Sequence, residues 1–424
     1  MKWLQNISNW MLNILEIWRV EMRNSLFDEG AVVFFFIVPL VYPVIYSYLY
    51  SHEATREVAT VVVDNANTAL SREFIRKVDA TCEVDIVGHC AEMQEAKELV
   101  YRRKAYCIIY IPEEFEKELE QGRQSTIELF SDMGSLLYYE ALYSSCTEVS
   151  LEMNMDIKAQ RLPGATEEQT SMFCYPMEYE YVPMFNTQSG FASYVIPAVL
   201  MLVIQQTMLV GIGLLAGNER EKKRKGILLR YQVDKKPSEM LFGKASTYVS
   251  IYVTMCAYLF FIVPSMFNLI HIWQLKEVLA FMFPYLLACV FFSITISGLS
   301  HDREVFIIMF MFMSVPLMFI SGISWPTCAV PKFWRVVSWF FPSTFGINGF
   351  VKINNMGALV RDVKPELIGL WVQAFFYGFT AWLVYKRSYG KNLKNYVRVE
   401  ESEIRLVGVR RMHKEGKSFR FKHK

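Results

Sequence analysis

The chain has 424 residues, 53% of them hydrophobic, with 44 basic against 42 acidic side chains. That balance offers no general basic surface, and no nucleic-acid partner is expected. What it conceals is a sharp sorting of charge along the chain.

Residues 1–28 open with apolar side chains at helical spacing: Trp3, Leu4, Ile7, Trp10, Met11, Ile14, Leu15 and Trp18. They share one face of a helix. They lack the continuous apolar core and small-residue site of a cleaved signal. Tryptophans on that face suit the headgroup region, so the reading is a helix lying on the inner leaflet. A helix packed against other protein is the alternative. Six stretches then carry no Asp, Glu, Lys or Arg: 31–50, 191–217, 245–270, 278–300, 305–323 and 367–385. About 20 apolar residues cross a hydrocarbon core of about 30 Å, so each is a candidate span. The predicted fold class is an α-helical polytopic membrane protein with six spans, an inserted external α/β domain and an N-terminal interfacial helix.

Orientation follows from Lys and Arg. Residues 218–244 hold nine basic and four acidic side chains, the tail 386–424 holds 13 and four, and 51–190 holds 12 and 25. The positive-inside rule places the first two in the cytosol and the acidic segment outside. Both termini are then cytosolic in a multi-pass protein of the plasma (inner) membrane.

The external segment 51–190 reads as alternating strands and helices. Strands are predicted at 58–64, 82–88, 105–111 and 125–131, and helices at 68–78, 91–104, 112–122 and 134–160. "DNANT" after the first strand lacks the glycines of a phosphate cradle, so Asn67 or Thr68 reads as a helix N-cap. His89 stands without an obvious partner. Residues 161–190 read as a return linker into the five-span bundle 191–385.

Within that bundle, 218–244 is a cytosolic loop. By composition alone it is a basic loop beside anionic lipid. "HDRE" (301–304) is a polar turn between the fourth and fifth spans. The stretch 319–350, "FISGISWPTCAVPKFWRVVSWFFPSTFGINGF", is too apolar for a loop. Pro326, Pro331 and Pro342 break it too often for a span. Trp325, Trp334 and Trp339 suit an interface, and Lys332 and Arg335 are tolerable only near one. Residues 324–350 therefore read as an outer re-entrant segment, with a short helix dipping into the outer leaflet. It is either a lid on a pathway or a simple anchor. The tail 386–424 reads as basic and lipid-associated, with no assigned role.

No GxxxxGK[ST], HExxH or GxSxG motif is present, and the spans carry no ionisable group of the kind a proton- or sodium-coupled pump uses. No catalytic residue and no metal site is assigned. Energy for transport would come from a partner. Cys256 and Cys289 fall in spans as packing residues. Cys82, Cys90, Cys107, Cys146, Cys174 and Cys328 share one compartment, where disulfides are allowed but their pairing is not fixed.

Three features then resemble the permease subunits of the ATP-binding-cassette type-2 exporter family. They are the order of one span, a large external domain and five spans; the segment "EREKKRKGILLRYQVDKKPSEMLFGK"; and the outer segment "SGISWPTCAVPKFWRVVSWFFPSTFGINGF". The resemblance implies a half-transporter that pairs with a separate ATPase subunit and with a second permease, identical or related. ATP and Mg would be bound by the ATPase, with no cofactor in this chain. It makes 218–244 an ATPase-coupling loop, through Glu219, Arg220, Lys225, Gly226, Leu229, Arg230, Pro237, Glu239, Gly243 and Lys244. Gly322, Pro326, Pro331, Trp334, Trp339 and Pro342 match the outer motif. The large external domain suggests docking of a periplasmic adaptor or an exit chamber. The cargo is not specified. The rival is a membrane-anchored scaffold whose external domain recognises a ligand.

Overall fold

The computed structural model describes residues 2–50, 55–134, 136–161, 190–225, 235–269, 271–300 and 302–388, with isolated positions between 166 and 185. The chain divides into two compact units, Met1–Ser51 with Ala192–Lys424, and His52–Phe191. The first unit begins with α1 (Lys2–Phe27) and α2 (Glu29–Leu49). Asp28 separates them and caps α2, its carboxylate accepting from Ala31 N at 3.0 Å.

The second unit is a small mixed sheet clad by helices. Its elements run β1 (Val58–Asp64), α3 (Ala69–Asp79), β2 (Val84–His89), α4 (Met93–Tyr101), β3 (Cys107–Ile111), α5 (Phe115–Glu120), β4 (Glu128–Ser131) and α6 (Leu136–Arg161). The strand order is β2-β1-β3-β4, with β1 parallel to both neighbours and β4 antiparallel to β3. Side chains alternate along β1: Val58 and Val62 join a core with Phe74, Val78 and Leu142, while Val61 and Val63 join Ala96 on the other face. The turn after β1 serves helix initiation. Asp64 accepts from Ala66 N, Asn67 N and Ser71 Oγ, and Thr68 N-caps α3 in a capping box with Ser71. A row of ion pairs from Lys77 to Glu152 (3.1 Å) and Asp156 (3.3 Å) ties α3 to α6, and the Glu152 hydrogen bond holds the Lys77 ammonium above its ordinary value.

The first unit continues with α7 (Phe191–Arg224), α8 (Pro237–Phe267), α9 (Leu275–Leu299), α10 (Val305–Ile320), α11 (Lys332–Ser338), α12 (Pro342–Met356) and α13 (Lys364–Ser388). Among the described residues, five helices are long and apolar enough to cross a membrane: α2, α7, α8, α9 and α13. The fifth predicted span, 305–323, forms α10, which has 16 residues. At 1.5 Å per residue it is about 24 Å long, short of a full hydrocarbon core. α7 lies at the centre, enclosed on all sides through its apolar stretch. Both α2 and α8 contain a π-helical turn, Val33–Ile37 and Tyr258–Ile262, followed by Pro39 and Pro264 respectively. A proline ring crowds the carbonyl four residues back, and the wider turn ahead of it relieves that contact.

Cys82, Cys90, Cys107, Cys146, Cys256, Cys289 and Cys328 are free thiols, so the allowed disulfides do not form among the described residues; Cys174 lies outside them. Burial pushes the Cys146 thiol up to about 12 and raises Cys107 as well.

Candidate functional site

The charged end of the first unit gathers several of the residues predicted for coupling around α1. Gly243, on the first turns of α8, sits against Ile17 of α1. A Cβ there would lie 2.7 Å from Ile17 Cβ, so only glycine admits the helix this closely. Two hydrogen bonds bracket the contact: Thr247 Oγ1 donates to Trp18 O at 3.3 Å, and Trp18 Nε1 donates to Ser250 Oγ at 3.2 Å. Nearer the start of α8, Lys235 pairs with Glu16 (2.7 Å) and donates to Asn13. The second half of α1 is thus packed against protein. Met11 and Leu15, on its apolar stripe, remain exposed.

Lys244 lies at the heart of this joint. Its ammonium pairs with Glu219 at the end of α7 and with Glu21 of α1, 3.3 Å away. Glu21 is 1% exposed, and its Oε1 also accepts from Tyr248 OH. Its Oε2 is shielded from water and has no hydrogen-bond partner. Burial pushes the Glu21 carboxyl up, opposed by the Lys244 charge. A cavity of about 140 Å³ adjoins, lined by Glu21, Asn24, Asp28, Leu215, Asn218 and Glu219 among others. Asp28, on its wall, is satisfied by Asn218 Nδ2 (2.7 Å) and Arg303 (3.0 Å).

Other members of the predicted coupling set have different duties. Arg220 turns inward and donates both guanidinium arms to the carbonyls of Ser297 and Ser300, closing the end of α9. Glu239 is buried and accepts from Lys236 N at 3.0 Å, while Pro237 occupies the first turn; both residues start α8. Lys225 is exposed at the end of α7. Gly226, Leu229, Arg230 and the tail beyond Ser388 lie outside the described residues, as does His301. The sequence reading missed Glu21 and Tyr248. The available signal was an acid three residues after Trp18, on the apolar stripe of α1.

The segment predicted as an outer motif forms a helical hairpin that doubles back along α7. Gly322 ends α10 with φ +93°, and a side chain there would strike Thr327. Ile323 O accepts from Tyr194 OH (2.6 Å) at the start of α7. Pro326 begins a turn to Ala329, and Pro331 precedes α11, where Arg335 donates back to Thr327 O (2.6 Å). The chain reverses at residues 339–342. There the Trp339 and Phe340 carbonyls accept from Gln373 Nε2 and Tyr377 OH, both at 2.6 Å. Ser343 N donates to Gln205 Oε1 halfway along α7. α12, opened by Pro342, then returns until Asn355 donates to Ser193 O (3.1 Å). From Ser193 to Gln205 is 12 residues of helix, so the reversal lies about 18 Å along α7 from where the hairpin begins. Trp334 and Trp339 are half exposed, at 50% and 53%. Gln205 and Gln206 are buried; Gln205 Nε2 and both Gln206 side-chain atoms lack partners.

A family model described as ABC-2 family transporter protein matches residues 30–383. No curated protein matches the chain.

Proposed function

The chain belongs to the ABC-2 transporter family, and from that premise we propose that it is the permease subunit of an ATP-driven exporter, pairing with a separate ATPase and with a second permease. The observation that carries this reading is the family match across 30–383, which takes in α2, the His52–Phe191 unit and the bundle from α7 to α13. In this reading the charged end faces the cytosol and the His52–Phe191 unit faces outward. α10 is the fifth of six crossings, completed by the turn that follows it. Residues 225–236 and the exposed start of α1 meet the ATPase, which holds ATP and Mg. The hairpin 324–356 forms an outer gate or anchor, and the outward unit offers a surface to a periplasmic adaptor. Export runs outward across the inner membrane, with the cargo's identity left to experiment.

The test is a gentle-detergent pull-down of the tagged full chain, with co-purifying proteins identified by mass spectrometry, beside a Lys225→Glu/Arg230→Glu variant. Arg220 is left intact because its guanidinium braces α9. Capture of an ATP-binding-cassette ATPase that the variant loses supports the reading. Capture of no ATPase moves the scaffold reading ahead.

A further inference from the structure

The buried ammonium of Lys244 is shared by two carboxylates from different helices. Lys244 and Glu21 are almost completely shielded, with side-chain exposures of 3% and 1%, and Glu219 is 16% exposed. A carboxylate oxygen buried without a donor is costly, and Glu21 Oε2 is in that position. The nearer contact of Lys244 is to Glu219. A small shift of Lys244 toward α1 would engage Glu21 more fully and supply its idle oxygen, at the expense of Glu219. A cavity of about 140 Å³ lined by Glu21 and Glu219 adjoins the two carboxylates, so neither is locked in place by close packing on that side. Each carboxylate is thus a candidate seat for the same ammonium, and a switching element requires two such seats.

Glu219 sits on the last turns of α7, directly before the segment assigned to the ATPase, and Glu21 sits on α1. We propose that Glu21 is a positioning residue for transport: Glu21 and Glu219 are alternative seats for Lys244, and transfer between them accompanies displacement of the end of α7 relative to α1 when the ATPase binds ATP. This rests on the permease reading above. A purely structural role makes a different prediction. Replacing a whole buried ion cluster with apolar residues of similar size is often neutral or stabilising for a fold. If the triad is only glue, an apolar triad should serve transport equally well.

The experiment uses the full chain in complex with its co-purified ATPase. Nitroxide labels are placed by Arg23→Cys and Lys222→Cys in a chain with Cys82, Cys174 and Cys328 changed to serine. Pulsed EPR distances are compared between nucleotide-free and ATP-trapped complexes. The unsubstituted triad should show an ATP-dependent change in distance. Glu21→Gln keeps the side-chain shape and the Tyr248 contact, and should reduce the shifted population about tenfold, the size expected from one charge-assisted hydrogen bond. The apolar triad Glu21→Leu/Lys244→Met/Glu219→Leu should melt near the parent temperature yet lose the change. An apolar triad that keeps the ATP-dependent change, or a parent complex that shows none, overturns the proposal. A triad variant that fails to fold is replaced by Glu21→Gln alone, where a parent-like shift has the same meaning. If no ATPase co-purifies, the permease reading fails first, and this inference falls with it.

Discussion

Gly243→Val should undock α1. The new side chain begins with a Cβ 2.7 Å from Ile17 Cβ and Cγ2, with the Ile14 carbonyl 3.3 Å away. None of these atoms is the free end of a flexible side chain, so the helices must part. Overpacking of this kind costs about 1–3 kcal/mol. Parting also stretches the Thr247–Trp18 and Trp18–Ser250 hydrogen bonds, worth about 1 kcal/mol each. The gain in helix propensity on replacing glycine is a few tenths of a kcal/mol and does not offset this. The net cost is about 3 kcal/mol, localised to α1 docking. It corresponds to a roughly 100-fold larger undocked population. Trypsin cleavage after Arg19 and Arg23 reports that population when opening is fast relative to cleavage. Cleavage of the full chain in detergent should therefore accelerate about 100-fold. The cost should shrink in an Ile17→Gly background, where the clashing atoms are gone. Parent-like cleavage, or an equal cost in both backgrounds, refutes the claim that glycine is required by the approach of α1.

Gln205→Leu leaves Ser343 N, at the hairpin reversal, without its acceptor; the loss should be about 1–3 kcal/mol, seen as a lower melting temperature in detergent, and no change would mean the reversal is held elsewhere. In a chain with Cys174→Ser, an impermeant maleimide applied to intact cells in alkaline buffer should label exposed Cys82 and Cys328 and spare buried Cys107 and Cys146 until denaturation. The alkaline buffer is needed because a hydrogen bond to Glu83 holds the Cys82 thiol above its ordinary value. Labelling of only one exposed thiol would place Cys82 and Cys328 on opposite sides of the membrane and refute the outward assignment. Thr68→Ala removes the capping hydroxyl of α3 and should cost about 1 kcal/mol, read as roughly fivefold faster hydrogen exchange in the first turn of α3; unchanged exchange would assign the cap to Asp64 instead.

The parts of this fold that were legible in the sequence are the local ones. Strand β1 occupies Val58–Asp64, the range predicted, because a run of β-branched residues followed by Asp64 and a Thr68 cap encodes both the strand and its end. The span candidates were equally visible, since charge-free runs are a property of the chain itself. α10 is shorter than its charge-free run because Ser321–Ile323 are apolar enough for a span while the backbone at Gly322 has already turned. What escaped depends on pairing across long separations. Arg220 read as a contact surface but faces the carbonyls of α9, about 80 residues away in sequence. Gln205 meets Ser343 across 138 residues, and Tyr248 meets Glu21 across 227. No periodicity or spacing encodes such partners. The idle oxygen of Glu21 is a property of the packed state alone.

α7 joins features so far described apart. It is one helix of 34 residues, held to the hairpin near Ser193 and again at Gln205, and to the ammonium of Lys244 at Glu219. From Gln205 to Glu219 is 14 residues without a proline, a rod of about 21 Å. Hydrogen-bonded helices resist compression, so the rod has no slack with which to absorb a push. A screw of α7 that loosens Glu219 from Lys244 must also drag Gln205 past the tip of the hairpin. A single continuous helix therefore links the two ends of the bundle.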